Sequence, residues 1–185
     1  MKLGPLGIAV GLLLLLALPV EAGELRITVD GIRSPNGVIL IGLYDSAESF
    51  NRAIELSDKE GFLNDPLRVV GAALRANVAK RGGVVFSNLE PGRYAIILFH
   101  DENGNGRLDK TFWGVPTEPY GFSNDARGFL GPPKFDDAAI RLDGSDKAVV
   151  VSLIYHGSHE SDPSAAPPED ETPPAKNLSP ARSSR

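Results

Sequence analysis

The sequence predicts an all-β protein, an immunoglobulin-like or transthyretin-like sandwich of about seven strands carrying one long calcium-loop-like insertion. Three observations lead there. Short apolar or alternating runs recur, separated by turn signals such as Ser34-Pro-Asn-Gly37, Pro91-Gly92 and Asp143-Gly144. Two of the runs, Val38–Tyr44 and Arg93–His100, are apolar on both faces, which places them centrally in a sheet. Helical periodicity is scarce across the same span.

The elements follow in order. In Glu24–Asp30, Leu25, Ile27 and Val29 alternate with Arg26, Thr28 and Asp30. That is a strand with one wet face, and it is expected to form a hairpin with Val38–Tyr44 across the Pro-Asn-Gly turn. Ser46–Phe50 opens a short helix with Asp45 or Ser46 as N-cap. Ile54–Pro66 reads as loop. Leu67–Ala79 reads as one or two strand pieces broken at Gly71, with a helix over Ala72–Ala79 as the alternative. Gly82–Phe86 is a short strand, and Leu89 an apolar plug before the Pro-Gly turn that starts the next strand at Arg93. Phe135–Ile140 suits one helical turn, with Pro133 placed for its start. Lys147–Tyr155 is the last strand.

The ends of the chain differ from this body. A positive start at Lys2 precedes an apolar run, Leu6–Leu18, then Pro19 and Val20-Glu-Ala22. Residues 1–22 read as a secretory signal peptide, with the mature chain starting at Gly23 and no membrane span after cleavage. The expected location is periplasmic or secreted. The domain occupies residues 23–156. Residues 157–185 are rich in Pro, Ser and Glu with almost no bulky apolar residue, so a disordered tail is expected. The 185 residues suit one domain, expected as a monomer. Net charge is −5 without a basic stripe, which argues against nucleic acid as partner. The chain has no cysteine, excluding disulfides, thiolate zinc sites and a Cys nucleophile.

The chemistry concentrates after His100. In Asp101-Glu-Asn-Gly-Asn-Gly-Arg-Leu-Asp109, oxygen-bearing side chains fall at alternate positions around a glycine turn, as a calcium loop requires. Asp101 and Asp109 would supply carboxylates, Asn103 and Asn105 amide oxygens, Gly106 the sharp turn and Arg107 its carbonyl. Phe112 stands where an EF-hand has its bidentate Glu, so Glu118, Asp125 or water would complete the shell. Calcium is the cofactor expected, held with modest affinity. Zinc is disfavoured, because His100 is the only nearby nitrogen ligand. The competing reading is a solvated Asx-rich loop that binds nothing.

Six aromatics lie between Phe112 and Phe135, among them the only tryptophan, Trp113. They read first as a small core pinning the loop onto the sandwich. Their functional reading is a ligand-binding face built on Trp113, Tyr120 and Phe122, for an envelope protein or glycan. An enzyme is the less favoured reading: a hydrolase of envelope carbohydrate or peptide, pairing carboxylates from Asp101, Asp109, Glu118 and Asp125. His100 and Asp101 point to opposite faces of a strand and make a poor dyad.

Phe86-Ser-Asn-Leu-Glu-Pro-Gly-Arg-Tyr-Ala95, His100–Asp109, Gly114-Val-Pro-Thr-Glu118, Gly121-Phe-Ser-Asn124 and Gly131–Ala138 together resemble a family of exported bacterial proteins of unknown function, DUF2141, over roughly Leu25–Tyr155. The resemblance implies a small β-sandwich outside the cytosol and implies no activity.

Overall fold

The structure, a computed structural model, describes residues 21–59, 61–76 and 82–156. Residues 1–20 of the expected signal peptide, the end of the Leu67–Ala79 segment and the expected disordered tail from residue 157 lie outside the described residues.

Eight strands make two sheets: β1 (Gly23–Asp30), β2 (Val38–Tyr44), β3 (Val70–Arg75), β4 (Gly82–Leu89), β5 (Gly92–Asp101), β6 (Tyr120–Phe122), β7 (Ile140–Leu142) and β8 (Lys147–Ser152). The smaller sheet has the order β4-β1-β8, with β1 and β8 parallel. The larger has the order β3-β2-β5-β6, and β7 pairs with the start of β5. The alternating apolar face of β1 meets the larger sheet: Leu25, Ile27 and Val29 pack with Ile39, Ile41 and Leu43 of β2 and with Ile96 and Leu98 of β5, all buried.

The opposite face of the larger sheet is covered as well. Leu40 and Tyr44 of β2 and Ala95, Ile97 and Phe99 of β5 pack under α1 (Ala47–Leu56), α2 (Phe135–Ala138) and the segment after β5. Aromatic rings join this layer, Phe50 lying 5.9 Å from Phe122 and 6.0 Å from Phe135, and Phe62 lying 4.9 Å from Phe99. β2 and β5 are therefore apolar on both faces because the larger sheet is the middle of three layers.

That layering corrects the expected β1–β2 hairpin. The two strands lie in different sheets, and residues 31–37 carry the chain from one to the other. Ile32 is buried on the way, and the Arg33 N–H donates to the Tyr155 hydroxyl at 2.9 Å. Gly92 starts β5 one sheet away from β4, with Leu89 buried as the plug. The Tyr94 hydroxyl donates back across the turn to the Glu90 carbonyl at 2.8 Å, a corner found in sandwich folds.

Other differences are local. The helix capped by Ser46 runs on to Leu56, and a 3-10 turn forms at Phe62–Asn64, so Ile54–Pro66 is not all loop. Its buried residues Phe50 and Ala53, with half-buried Ile54, lie one helical turn apart, a stripe hidden by its shortness. β3 is a single strand. The three-residue strands β6 and β7 are too short to show a period of two. Among the described residues no helix is long and apolar enough to cross a membrane.

Candidate functional site

β5 ends at Asp101, and the loop after it is built around two buried carboxylates. The Asp101 side chain turns under the loop. Its Oδ1 accepts from the N–H groups of Gly104 (2.8 Å) and Asn105 (3.0 Å), and its Oδ2 from the N–H of Gly106 (2.8 Å). Glu118, just before β6, closes the other side: Oε1 accepts from the Glu102 N–H (2.9 Å) and Oε2 from the Asp109 N–H (3.0 Å). One carboxylate curls the loop and the other clamps its two ends. Burial raises the Glu118 pKa, the two N–H donors pull it back, and the negative charges of Asp109 and Asp101 push it up again.

The other residues expected as calcium ligands face one another. The amide groups of Asn103 (2.6 Å) and Asn105 (3.1 Å) donate to the Asp109 carboxylate, and their own oxygens accept from the N–H groups of Asn105 and Arg107. The Arg107 guanidinium stands 3.9 Å from Asp109. Asp125 does not join them. Its Oδ1 accepts from the Ser152 N–H in β8. Among the described residues no three His, Asp or Glu side chains form a group that could hold a metal, so an ion here would depend on amide and carbonyl oxygens too. Asp101 and Glu118 each keep lone pairs beyond those the N–H groups use, and the two Asn amides would have to turn their oxygens toward the ion.

Beyond Asp109 the chain makes two finger-like turns. The first is a small hairpin. Lys110 bridges Pro116, the Thr111 N–H donates to the Val115 carbonyl (2.8 Å) and the Gly114 N–H to the Thr111 carbonyl (2.9 Å). Its tip is Phe112-Trp113. The second runs through Gly128 and Gly131 with Phe129-Leu130 at its tip. These four side chains are 94%, 85%, 97% and 93% exposed in that order. Between the fingers lies an apolar cleft of about 500 Å³ whose lining includes Trp113, Tyr120, Phe122, Phe129, Leu130 and His156. His156 stacks on Tyr120 and shares a 2.6 Å hydrogen bond with its hydroxyl.

The reading of the aromatics as a packed core is corrected for half of them. Phe122 and Phe135 are buried and Tyr120 is half-buried, whereas Phe112, Trp113 and Phe129 stand in solvent. The buried rings belong to regular backbone, β6 and α2. The exposed ones sit at turn tips, where a short turn has nothing to pack against. Trp113→Ala should accordingly leave the melting temperature unchanged within about 1 °C; a loss of several degrees in a calorimetric scan would contradict this placement. The three residues expected to bind a ligand, Trp113, Tyr120 and Phe122, line the same cleft as rim, wall and floor.

The carboxylates considered for catalysis are engaged with backbone N–H groups or, for Asp109, with Asn amides. His100 is fully buried and its Nε2–H donates to the Asn36 carbonyl at 2.7 Å, away from the Asp101 side chain. Sequence reasoning missed the second finger. Its signal was the Phe129-Leu130 pair held between Gly128 and Gly131, too short to pack and too apolar for a solvated turn.

Fold and site define an all-β protein of two packed sheets, with helices and a carboxylate-clamped loop covering one outer face and an apolar cleft at that loop. The chain belongs to the family described as an uncharacterized protein conserved in bacteria (DUF2141), whose model matches residues 27–150. None of the curated proteins matches it. Among solved structures, a pilus-presented adhesin (Spy0125, Cpa) aligns over 74% of this chain at 13% identity and a TM-score of 0.27. The chain spans 28% of that adhesin's chain.

Proposed function

We propose that this protein is an exported, non-enzymatic binding module, periplasmic or secreted, in which a calcium-ordered loop presents an aromatic face to an envelope protein or glycan. The observation that carries the reading is the apolar cleft between two fingers whose tips are exposed aromatic and aliphatic pairs. Soluble proteins seldom expose contiguous apolar surface without a use for it. The sandwich is read as immunoglobulin-like or transthyretin-like, which its two packed sheets and the Tyr94 corner support.

Calcium is the part of the reading that concerns the loop. Asp101 and Asp109 would provide carboxylate oxygens, Asn103 and Asn105 amide oxygens, Arg107 its carbonyl, and Glu118 the acid missing from the twelfth position. The ion would offset the repulsion among Asp101, Asp109 and Glu118; burial is the main cause of the raised Glu118 pKa, and the charges of Asp109 and Asp101 add to it. An ion bound only by the folded state stabilises it by mass action. With a dissociation constant near 10⁻⁴ M, millimolar calcium should raise the melting temperature by roughly 5 °C. Magnesium should do less, since it keeps a tighter, more hydrated shell. Asp109→Asn should remove the response. A calorimetric titration with neither heat nor a melting shift sinks the calcium reading.

A further inference from the structure

We propose that the two fingers are a docking site for an anionic lipid surface, with Phe112, Trp113, Phe129 and Leu130 entering the bilayer interface. This rests on the reading of the same face as a binding surface and puts a lipid surface in the place of an envelope protein or glycan as its partner. Turn tips are normally Gly, Asn, Asp or Pro, residues that water solvates well. Here both tips are apolar pairs. At 85–97% exposure the four side chains stand clear of the fold, and Trp113, Phe129 and Leu130 edge the cleft without being buried by it. They project as wedges, and an interface that is soft and apolar a few ångströms down accommodates such a shape.

The charge around the tips points the same way. The protein is acidic overall, at −5. Yet residues 110–117 and 126–135 contain Lys110, Arg127 and Lys134 and no acid. Arg127 is exposed and directly precedes Gly128, at the base of the second finger. Neither Arg127 nor Lys134 makes an ion pair among the described residues. Lys110 is shared with Asp58 at 3.6 Å. Of the acids beyond the second finger, Asp136 is paired with Arg93 (2.7 Å) and Asp137 accepts from the Lys134 N–H (3.3 Å). Cations flanking apolar tips on an otherwise acidic molecule complement anionic headgroups, each strengthening association about fivefold.

Trp113, the only tryptophan, reports from the tip itself. The test uses the chain from Gly23 onward, which contains every described strand and helix and omits an apolar leader that would bind bilayers by itself. Vesicles of equimolar phosphatidylglycerol and phosphatidylcholine should shift Trp113 emission to the blue and carry the protein down on sedimentation. Phosphatidylcholine alone should bind about tenfold or more weakly, and added salt should release the anionic complex. The double variant Phe129→Ser with Leu130→Ser should bind at least about thirtyfold more weakly, with an unchanged melting temperature because both side chains are already in water.

Unchanged emission and no sedimentation with anionic vesicles would overturn the proposal. If an N-acetylglucosamine oligomer or a Pro-rich peptide then shifts Trp113, the face binds a soluble partner and the binding reading survives. If those probes are silent too, both readings fall. Emission already blue in free protein, moving to the red when residues 158–185 are removed, would show the tail on the fingers and equally overturn the lipid proposal.

Discussion

Asp101→Ala is expected to destabilise the protein by about 3–5 kcal/mol and to free the loop from Glu102 to Glu118. The carboxylate is 1% exposed and accepts three backbone N–H bonds. Hydrogen bonds to a charged group contribute about 1.5–3 kcal/mol each, but Gly104 is exposed and Asn105 half-buried, and both can recover water once the loop opens, so the sum is discounted. The sheets should survive. Leu98 and Phe99 of β5 are held by cores on both faces, and Asp101 only ends that strand. Asp101→Asn should fall between, since its amide oxygen can replace Oδ1 while its NH₂ group meets the Gly106 N–H. Urea denaturation measures the loss, and hydrogen exchange at Gly104, Asn105 and Gly106 locates it. A loss below about 1 kcal/mol would mean that the carboxylate does not hold the loop.

How much of this could be read from the sequence depended on whether neighbouring residues carried the signal. The spacing from Asp101 to Asp109 is local, and the residues named for it do face one another. Of the two acids that the sequence offers to complete a shell, Glu118 lies at the loop, where it accepts from the N–H groups of Glu102 and Asp109, because Pro119 and β6 come directly after it and fix it beside the end of β5. Asp125 looked equivalent, but it sits in the 3-10 turn after β6 and reaches β8 instead. The doubly apolar β2 and β5 were legible as central strands, though their real cause, a third layer of helices and loop, was not. The β1–β2 hairpin was the main misreading, and the residues themselves argued against it. A strand wet on one face and a strand dry on both fit different sheets when only one sheet is covered on both sides. The apolar fingertips needed coordinates, because an aromatic in a Gly- and Pro-rich segment packs or projects according to what lies beneath it.

Gly37→Ala is expected to cost about 3 kcal/mol or more, and its comparison with Gly106→Ala separates two causes. Both glycines have left-handed backbones, at φ +69 and +79. A side chain in that region costs about 1–2 kcal/mol whatever surrounds it. At Gly106 nothing else opposes a Cβ, since no heavy atom lies within 4 Å of its position. At Gly37 the Cβ would fall on the carbonyl oxygen of Asp101, with the Glu102 Cα 2.7 Å away, and both atoms are backbone that cannot rotate aside. The start of β2 is thus pressed against the end of β5, where Val38 pairs with Asp101 and where the Asp101 side chain turns into the loop. Displacing that backbone should loosen the loop as well as the strand, whereas Gly106→Ala keeps its N–H for Asp101 and should lose only the backbone term. Urea denaturation of the two variants decides the point. Equal losses would show that the close approach at Gly37 relaxes freely; a larger loss at Gly37, with faster amide exchange at Gly104 and Asn105, would show that the first turn and the carboxylate loop stand or fall together.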